Sequence, residues 1–275
     1  MANLKQVYEK PLSSLDKMGE ELAFYINAIR ATPRSIKRYP REIMRLLAEV
    51  TLGSGALAVI GGTVGVITAM AFFTGTEVGL QGYAALNQIG TAAFSGFVSA
   101  YFNTREISPL IAGIALAATV GCGFTAQLGA MRISEEVDAL EVMAIPSMPF
   151  LVTTRIVAGL IAIVPLYVVG LLSSYFATRL TVTQFFGQSA GTYDHYFNQF
   201  LPPGDVLWSF GKVLVFAVVV ILIHCYHGYT ASGGPAGVGV AVGRAVRTSI
   251  VAINVIDLFL SMAIWGSSTT VRLAG

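Results

Sequence analysis

Two groups of charged side chains interrupt a chain that is otherwise apolar. Four carboxylates lie in the stretch ISEEVDALEVMAI, from Ile133 to Ile145, and Arg105 and Glu106 stand side by side in a long apolar stretch. Carboxylates on a helix can engage a partner protein, and an arginine can bind a carboxylate or phosphate. Both groups could therefore bind another molecule. Which molecule each one binds depends on where the chain places it relative to a membrane.

The composition predicts an all-α integral membrane protein. The 275 residues are 55% hydrophobic and only 12% charged, about half the charged share of a typical soluble domain. The mean hydropathy is +0.70. The net charge of +2 offers no case for binding nucleic acid. Residues 1–49 are too polar for a cleavable signal peptide, so we expect the first membrane span to direct insertion.

Cysteine and histidine give no indication of a metal or redox site. Cys122 and Cys225 lie in apolar segments, and we expect buried thiols that act as small hydrophobes. His224 and His227 flank Cys225, but no carboxylate lies near them in the sequence. A metal site needs more ligands than these, so we predict neither a metal nor another cofactor.

A glycine-rich stretch at 233–243 does not indicate nucleotide binding. It follows no strand and lacks the Lys-Ser/Thr pair that closes a Walker A loop, and no such motif occurs elsewhere in the chain. Any ATP hydrolysis must therefore belong to another polypeptide. Gly239 and Gly243 are instead expected to allow close packing of the last membrane span.

Residues 1–49 form a basic, partly amphipathic region and carry nine of the seventeen Lys and Arg residues. A first helix, capped by Ser13 or Ser14, is predicted from apolar residues at helical spacing, namely Leu15, Met18, Leu22, Tyr25, Ile26 and Ile29. A second helix starts at Pro40 and has an apolar stripe of Ile43, Leu46, Leu47 and Val50. We expect the first helix to lie in the membrane interface, with packing on a soluble partner as the alternative.

Residues 50–275 are predicted to form one domain of five membrane spans. Each span must cross about 30 Å of hydrocarbon at about 1.5 Å per residue. The predicted spans are Val50 to Phe73, Thr91 to Gly129, Phe150 to Tyr175, Val206 to Tyr226, and a fifth that follows the glycine-rich stretch and ends near Trp265. Glu77 is placed just past the first span, facing water.

Glycine and proline suggest where the spans pack and bend. Gly61 and Gly65 form a small-xxx-small pair in the first span. The second segment is too long for one straight crossing, and Pro109 is expected to kink or break it. It is therefore either one long bent helix or an outer hairpin followed by a full crossing. Pro165 is expected to kink the third span, and residues 179–206 are predicted to be a loop with short local structure.

The basic residues near span ends orient the bundle. With a cytoplasmic amino terminus, five spans place residues 1–49, 130–149 and 228–248 on the inner side, where most Lys and Arg residues then lie. The outer side keeps Arg179 and Arg272. We therefore predict a multi-pass protein of the plasma (inner) membrane with its amino terminus in the cytoplasm and its carboxyl terminus outside.

In this orientation the acidic stretch becomes a short cytoplasmic helix, residues 134–145, between the second and third spans. Ser134 is a suitable N-cap, and Glu135 and Glu136 suit the positive end of the helix dipole. Pro146 ends the helix. The helix is either a solvated connection or a rigid docking element that transmits a push from a cytoplasmic partner to both spans.

The side chains of this helix are predicted to separate by face. An apolar stripe comprises Val137, Leu140 and Ala144. Asp138 and Glu141, three residues apart, share another face.

The charged residues inside the apolar segments can be interpreted in two ways. Arg105 and Glu106 either lie near the outer interface and reach water, or Arg105 pairs with a lipid carboxylate or phosphate while Glu106 orients it. Neighbours on a helix point in different directions, so the two need not pair with each other. Asp257 is expected to pair with a helix of a partner subunit or with Ser261.

The same stretches carry a family resemblance. EEVDALEVMAIP, with GCGFTAQLGAMRIS before it and TRIVAGL after it, resembles the signature of the MlaE/YrbE permease family. The resemblance extends to LQGYAALNQIG, to REISP at Arg105–Pro109 and to HGYTASGGPAGVGVAVGRAVRTS, and so covers residues 45–265. Ser108 stands where other members often have glycine. AGTYDHYFNQFL and IHCYHGYTASGGPAGVG are similar to the B-type YrbE subunit of actinobacterial (mycobacterial) Mce lipid-import systems.

The resemblance implies the transmembrane core of an ABC transporter, with five spans and an amino-terminal interfacial helix. Two permease subunits, different chains in Mce systems, would pair and bind a cytoplasmic ATPase dimer, and a hexamer of MCE-domain proteins would meet them on the outer side. Family substrates are phospholipids, fatty acids, sterols or mycolic acids. Arg105 and Glu106 would lie beside an outward-facing lipid cavity.

By the same resemblance, the helix between the second and third spans docks the ATPase, through Glu135, Glu136, Asp138, Leu140 and Glu141. The alternatives from other classes are an ion-coupled secondary carrier and a membrane scaffold of a cell-surface complex. A carrier would favour internal repeats with acidic residues at related positions, and the odd span count does not fit them.

Overall fold

The computed structural model describes residues 2–52 and 62–266, and this part of the chain contains helices and no strand. Two helices, α1 (Ala2–Arg38) and α2 (Pro40–Leu52), precede the bundle. Five helices within the described residues are long and apolar enough to cross a membrane: α3 (Gly62–Gln88), α4 (Ala92–Ile133), α6 (Met148–Phe185), α8 (Pro203–Tyr229) and α9 (Gly234–Trp265). Short helices α5 (Glu136–Val142) and α7 (Ala190–Gln199) connect them. The prediction of an all-α, five-span protein is confirmed.

The first span lies further along the chain than predicted. Helix α3 runs to Gln88 instead of ending near Phe73, and residues 53–61, which include Gly61 of the predicted glycine pair, lie outside the described residues. Glu77 is therefore inside the helix and not past its end. Its exposed carboxylate accepts a hydrogen bond from the Gln81 side chain at 2.9 Å.

Two glycines of the first span, Gly75 and Gly79, form its contact surface with α6. A Cβ at Gly75 would lie 2.9 Å from the Ser174 Cα, and a Cβ at Gly79 would lie 2.9 Å from the Thr181 Cβ. The Thr178 hydroxyl also donates to the Gly75 carbonyl at 2.7 Å. Glycine here allows two helix backbones to approach closely, which hydropathy alone does not reveal.

The second span is one continuous helix, so the hairpin alternative is wrong. Helix α4 keeps its backbone hydrogen bonds through two wide π-helical stretches, Ser99–Ile107 and Ala117–Gly121. Pro109 follows directly after the first of them, at the start of the next α-helical segment. Such local widening lets a helix absorb a missing N–H without ending.

The remaining connections are more helical than expected. Residues 179–206 contain the end of α6 and the whole of α7, and Pro165 lies within α6. In the glycine-rich stretch, the backbone turns at Gly233, where φ is 88°, and α9 already begins at Gly234. A Cβ at Gly239 would meet nothing within 4 Å, so the predicted close packing at this glycine is not found among the described residues.

The core of the bundle is apolar and lies between α4, α6, α8 and the ends of their neighbours. Its largest buried side chains include Leu116, Leu128, Ile163, Leu166, Tyr167, Phe216, Ile221 and Ile253. Helix α2 joins this core as predicted, because Ile43, Leu46 and Val50 are buried against it.

Helix α1 has two apolar faces, whereas the sequence indicated one. Phe24 and Ala28 are buried against the bundle. Most of the predicted stripe points away from the protein and is exposed, at Met18, Leu22, Ile26 and Ile29. Only a few residues face the bundle, and they cover a short part of the helix. The longer exposed stripe therefore dominates the helical periodicity and hides the buried face.

Candidate functional site

Helix α4 carries Arg105 and Glu106 into the bundle on its first π-helical stretch. The Arg105 side chain is buried, at 5% exposure, while the Glu106 side chain is 33% exposed. Each one pairs with a different residue on another helix, as expected for neighbours that point in different directions. They form the two halves of a buried charge cluster, which also includes Asp205, Lys212 and Asp257.

In the first half, Arg105 pairs with Asp205 at the start of α8. The Arg105 Nη2 lies 2.6 Å from Asp205 Oδ2, and its Nε donates to the same oxygen at 2.7 Å. The Trp265 indole N–H donates to Asp205 Oδ1 at 3.0 Å. The guanidinium carbon stands 4.1 Å from the centre of the Tyr101 ring, which adds a cation–π contact. The ion pair thus ties α4, α8 and α9 together.

In the second half, the fully buried Lys212 of α8 contacts two carboxylates. Its ammonium nitrogen lies 2.6 Å from Asp257 Oδ1 and 3.2 Å from Glu106 Oε2. It also donates to the Arg105 carbonyl oxygen at 2.7 Å and to the Ser261 hydroxyl at 2.8 Å. A charge at membrane depth is costly unless it is paired, and here the lysine has several partners.

The Ser261 hydroxyl completes this half by donating to Glu106 Oε1 at 2.8 Å. Asp257 pairs with Lys212 and not with Ser261, so the expected Ser261 partner is wrong, while pairing of Asp257 with a partner subunit stays a prediction. Ser261 serves Glu106 and Lys212 instead.

Sequence reasoning missed Lys212 and Asp205. Lys212 is a single basic residue within an apolar segment that predicts a span, and an ionisable residue in such a position indicates a function or a partner. That signal was available. The pairing of Asp205 with Arg105 was not, since it joins residues that lie one hundred positions apart in the chain.

An apolar cavity of 350 Å³ lies between α3 and α4, beside Glu106. Phe102, one turn before Glu106, and Ile107, immediately after it, both line the cavity. The remaining lining residues are Val78, Gln81, Gly82, Ala85, Leu86 and Val98. An apolar chain could lie here. Glu106 itself is not among the lining residues, and its carboxylate contacts Lys212 and Ser261.

The acidic segment is folded differently from its prediction at both ends. Ser134 does not cap α5; it ends α4, and its hydroxyl donates to the Ala130 carbonyl at 3.0 Å. Glu135 then takes a left-handed backbone conformation, with φ at 61°, and the helix spans only Glu136–Val142. Ala144 lies beyond the helix with φ at 57°, and its side chain is exposed instead of sharing the buried stripe.

Three of the four acidic side chains have contacts within the chain. Glu136 accepts a hydrogen bond from the Ser134 hydroxyl at 2.9 Å. Asp138 pairs with Arg132 at 2.7 Å. Glu141 accepts a hydrogen bond from Ser147 Oγ at 2.7 Å, and that hydroxyl lies 2.8 Å from the Tyr229 hydroxyl at the end of α8. These contacts fix the segment to the bundle.

The apolar side chains of α5 divide between the core and the exterior. Val137 is buried and Leu140 packs partly against the core. Val142 is 88% exposed and Met143 is 61% exposed, and neither was singled out from the sequence. Glu135 and Glu136 are exposed as well. The outward surface of the segment is therefore a mixture of two carboxylates and two apolar side chains.

No metal centre is found in the part of the chain that the structure describes. Among residues 2–52 and 62–266, no three His, Cys, Asp or Glu side chains are grouped to hold a metal ion. His224 is buried and its Nδ1 lies 2.8 Å from the Thr125 hydroxyl. Cys225 is a buried free thiol and Cys122 is partly exposed.

Comparison with known proteins places the chain in a family. The family model described as Permease MlaE matches residues 53–263, which covers the five spans, the buried charge cluster and the acidic segment. The chain therefore belongs to the MlaE permease family, a class of ABC transporter permeases.

Curated relatives agree with this assignment. The chain is 30% identical over 196 residues to the "Probable ABC transporter permease protein" of Rickettsia bellii, covering 71% of this chain and 76% of the relative. It is 31% identical over 203 residues to "Protein TRIGALACTOSYLDIACYLGLYCEROL 1, chloroplastic" of Arabidopsis thaliana, covering 72% and 57%. It is 26% identical over 203 residues to the "Intermembrane phospholipid transport system permease protein MlaE" of Haemophilus influenzae, covering 74% and 78%.

Proposed function

We propose that this chain is the non-catalytic membrane subunit of an ATP-driven lipid transporter and forms a lipid cavity with a second permease subunit. The observation that carries the proposal is the position of Glu106. Glu106 is the partly exposed corner of a buried charge cluster, and it stands on α4 between Phe102 and Ile107, two residues that line the apolar cavity. A lipid needs both features, an apolar site for its chain and a polar site for its headgroup.

Within this site we assign different roles to the two neighbouring residues. Glu106 contacts the polar part of the lipid, because part of its side chain is exposed. Arg105 is buried and paired with Asp205, so it positions the helix and the local charge. The relative from Haemophilus influenzae is named for phospholipid transport, which supports a phospholipid; fatty acids, sterols and mycolic acids are the other lipids that the resemblance suggests.

The acidic segment is proposed to dock a separate cytoplasmic ATPase dimer. Glu135 and Glu136 offer exposed charge to the ATPase, and Val142 and Met143 offer apolar contact. Asp138, Leu140 and Glu141 contribute by holding the segment rigid against the bundle. A rigid segment can transmit nucleotide-driven closure of the ATPases to α4 and α6 and so change the width of the lipid cavity.

The remaining partners follow from the resemblance of the chain to B-type YrbE subunits. We propose a complex with a second YrbE-type permease and with a hexamer of MCE-domain proteins on the outer side. The chain would lie in the inner membrane with its amino terminus in the cytoplasm and its carboxyl terminus outside.

Transport of labelled lipid in vesicles that contain the complete complex tests the function. Wild type should move lipid only when ATP is hydrolysed, and Glu106→Gln should slow transport while the complex still assembles. Glu20→Gln, which changes an exposed carboxylate on α1, away from the cavity, is the control and should transport as wild type does. Transport driven by an ion gradient without ATP would instead identify a secondary carrier, and no transport under either condition would favour a scaffold.

A further inference from the structure

Helix α1 is fixed to the bundle through one face only. The Phe24 ring lies 5.4 Å from the Tyr226 ring and 5.7 Å from the Tyr229 ring, centre to centre. The Ser35 hydroxyl donates to the Pro149 carbonyl at 3.1 Å. These contacts hold α1 at the end of the bundle where α8 ends and α6 begins, which is also the end that carries α5.

The side of α1 that faces away from the bundle carries an apolar stripe. Its members are large, at least 40% exposed and separated by three, four or seven residues: Met18, Leu22, Ile26, Ile29 and Ile36. At about 1.5 Å per residue the stripe is about 27 Å long. A contiguous apolar surface of this length is not expected to face water, and no described residue covers it.

A basic belt follows the stripe along α1 and reaches the first turn of α2. Residues 30–41 contain five basic residues and no acidic residue: Arg30, Arg34, Lys37, Arg38 and Arg41. All five are exposed, and none lies within 4.0 Å of a carboxylate among the described residues. The next arginine, Arg45, differs because it pairs with Glu42 at 2.5 Å. At about 100° per residue, Lys37, Arg30 and Arg34 follow one edge of the apolar stripe, in that order around the helix.

We propose that the basic belt binds the headgroups of anionic phospholipids while the apolar stripe enters the acyl layer of the same leaflet. An apolar surface directly beside an unpaired cationic one matches the boundary between acyl chains and anionic headgroups. Because only α2 and residues 53–61 separate α1 from the first span, α3, the helix stays at the membrane surface. The chain would thus select the anionic lipid composition of one leaflet, independently of which lipid it transports.

The charge requirement is tested with the full-length protein and phosphatidylglycerol as the probe. Native mass spectrometry measures the apparent affinity for phosphatidylglycerol and for zwitterionic phosphatidylcholine. Arg30→Gln/Arg34→Gln should weaken phosphatidylglycerol binding about thirtyfold, from the contribution of each basic residue near an anionic surface, and leave phosphatidylcholine unchanged. Arg244→Gln/Arg247→Gln removes two exposed arginines from α9 and should have no such effect. Equal affinities in wild type and the α1 variant, or equal losses in both variants, would overturn the proposal.

The position of the stripe is tested with a fluorophore on Leu22→Cys, in a protein whose two native cysteines are alanine and which is reconstituted in phosphatidylglycerol-containing vesicles. Nitroxide groups on lipid acyl chains should quench this fluorophore, and should not quench one on Ala23→Cys, which lies on the exposed side next to the stripe. If Leu22→Cys is not quenched, the stripe is outside the membrane and is covered by a protein instead, which contradicts the proposal. Neither experiment depends on transport, so both can fail or succeed separately from the proposed function.

Discussion

Charged side chains have opposite purposes in the buried charge cluster and in the acidic segment. In the cluster, Arg105 and Lys212 are buried and each contacts a carboxylate on another helix. In the acidic segment all four carboxylates are exposed, although Glu136, Asp138 and Glu141 contact neighbouring side chains. A charge buried in a membrane bundle must be paired, so it stabilises the fold and leaves one corner for a ligand; an exposed charge remains available to another protein.

The largest effect is expected from breaking the cluster at its centre. Lys212→Met leaves Glu106 and Asp257 without their shared cation, and removing one partner of a buried ion pair costs about 3–5 kcal/mol. The free energy of unfolding, measured by denaturant titration of the purified protein in detergent, should fall by that amount. Lys212→Met/Asp257→Asn should recover part of the loss because it also removes a carboxylate. An unchanged free energy of unfolding in Lys212→Met would mean that Lys212 does not stabilise the cluster and that water hydrates the carboxylates instead.

A smaller loss of stability is expected when the Arg105–Asp205 half of the cluster is changed. Trp265→Phe keeps the aromatic ring but removes the N–H that donates to Asp205 at 3.0 Å. A hydrogen bond to a charged group contributes about 1.5–3 kcal/mol, and the lower end is expected here because Asp205 keeps its pair with Arg105. The same unfolding measurement applies. Trp208→Phe, at an exposed tryptophan of α8, is the control; similar losses in both variants would remove the special role of Trp265.

An exposed ion pair gives a reference value for the stability contribution of the buried ion pairs. Arg179 and Asp194 lie 2.8 Å apart, and their side chains are 45% and 44% exposed. The Arg179 guanidinium lowers the pKa of the Asp194 carboxyl, first through its hydrogen bond. Because solvent screens the pair, Asp194→Asn should cost at most about 1 kcal/mol near neutral pH.

The pH dependence of that variant has a definite sign. A lowered pKa in the folded protein means that the pair contributes stability above the ordinary carboxyl pKa and loses it as the pH falls through the lowered value. The difference in unfolding free energy between wild type and Asp194→Asn should therefore shrink on acidification. A difference that grows at low pH would contradict the pairing.

The smallest effect on stability is expected in the acidic segment. Glu135→Lys/Glu136→Lys should change the free energy of unfolding by no more than about 0.5 kcal/mol, since both side chains are exposed. The same variant should lose its ATPase partner in co-purification. Asp16→Lys/Glu20→Lys reverses two exposed charges on α1 and should keep the partner. Full ATPase recovery with Glu135→Lys/Glu136→Lys would remove the docking role.

Sequence reasoning found the elements whose signal is local. The five-span architecture, the helix that starts at Pro40 and the burial of Ile43 and Leu46 follow from hydropathy and helical spacing. It ended the first span at Phe73, whereas the helix continues to Gln88 through Gly75, which packs against α6. It also misjudged Ser134, whose role as the end of α4 depends on the left-handed turn at Glu135.

The buried charge cluster was only partly predictable. Arg105, Glu106 and Asp257 were singled out because charges are rare in apolar segments. Their partners were not found, since Lys212 and Asp205 reach them only when α4, α8 and α9 pack together. Pairing across helices depends on crossing geometry, which one sequence does not encode in any local pattern.

The central claim is that the cavity beside Glu106 holds transported lipid, and photo-cross-linking tests it most directly. A photoreactive amino acid at Phe102, which lines the cavity, is introduced into the complete complex in a lipid membrane, and Phe176, exposed on α6, is the control. We predict lipid adducts at position 102 that change in yield when ATP is hydrolysed, and adducts at position 176 that do not respond to ATP. Adducts at position 102 that are absent, or that match position 176 with and without ATP, would contradict the claim.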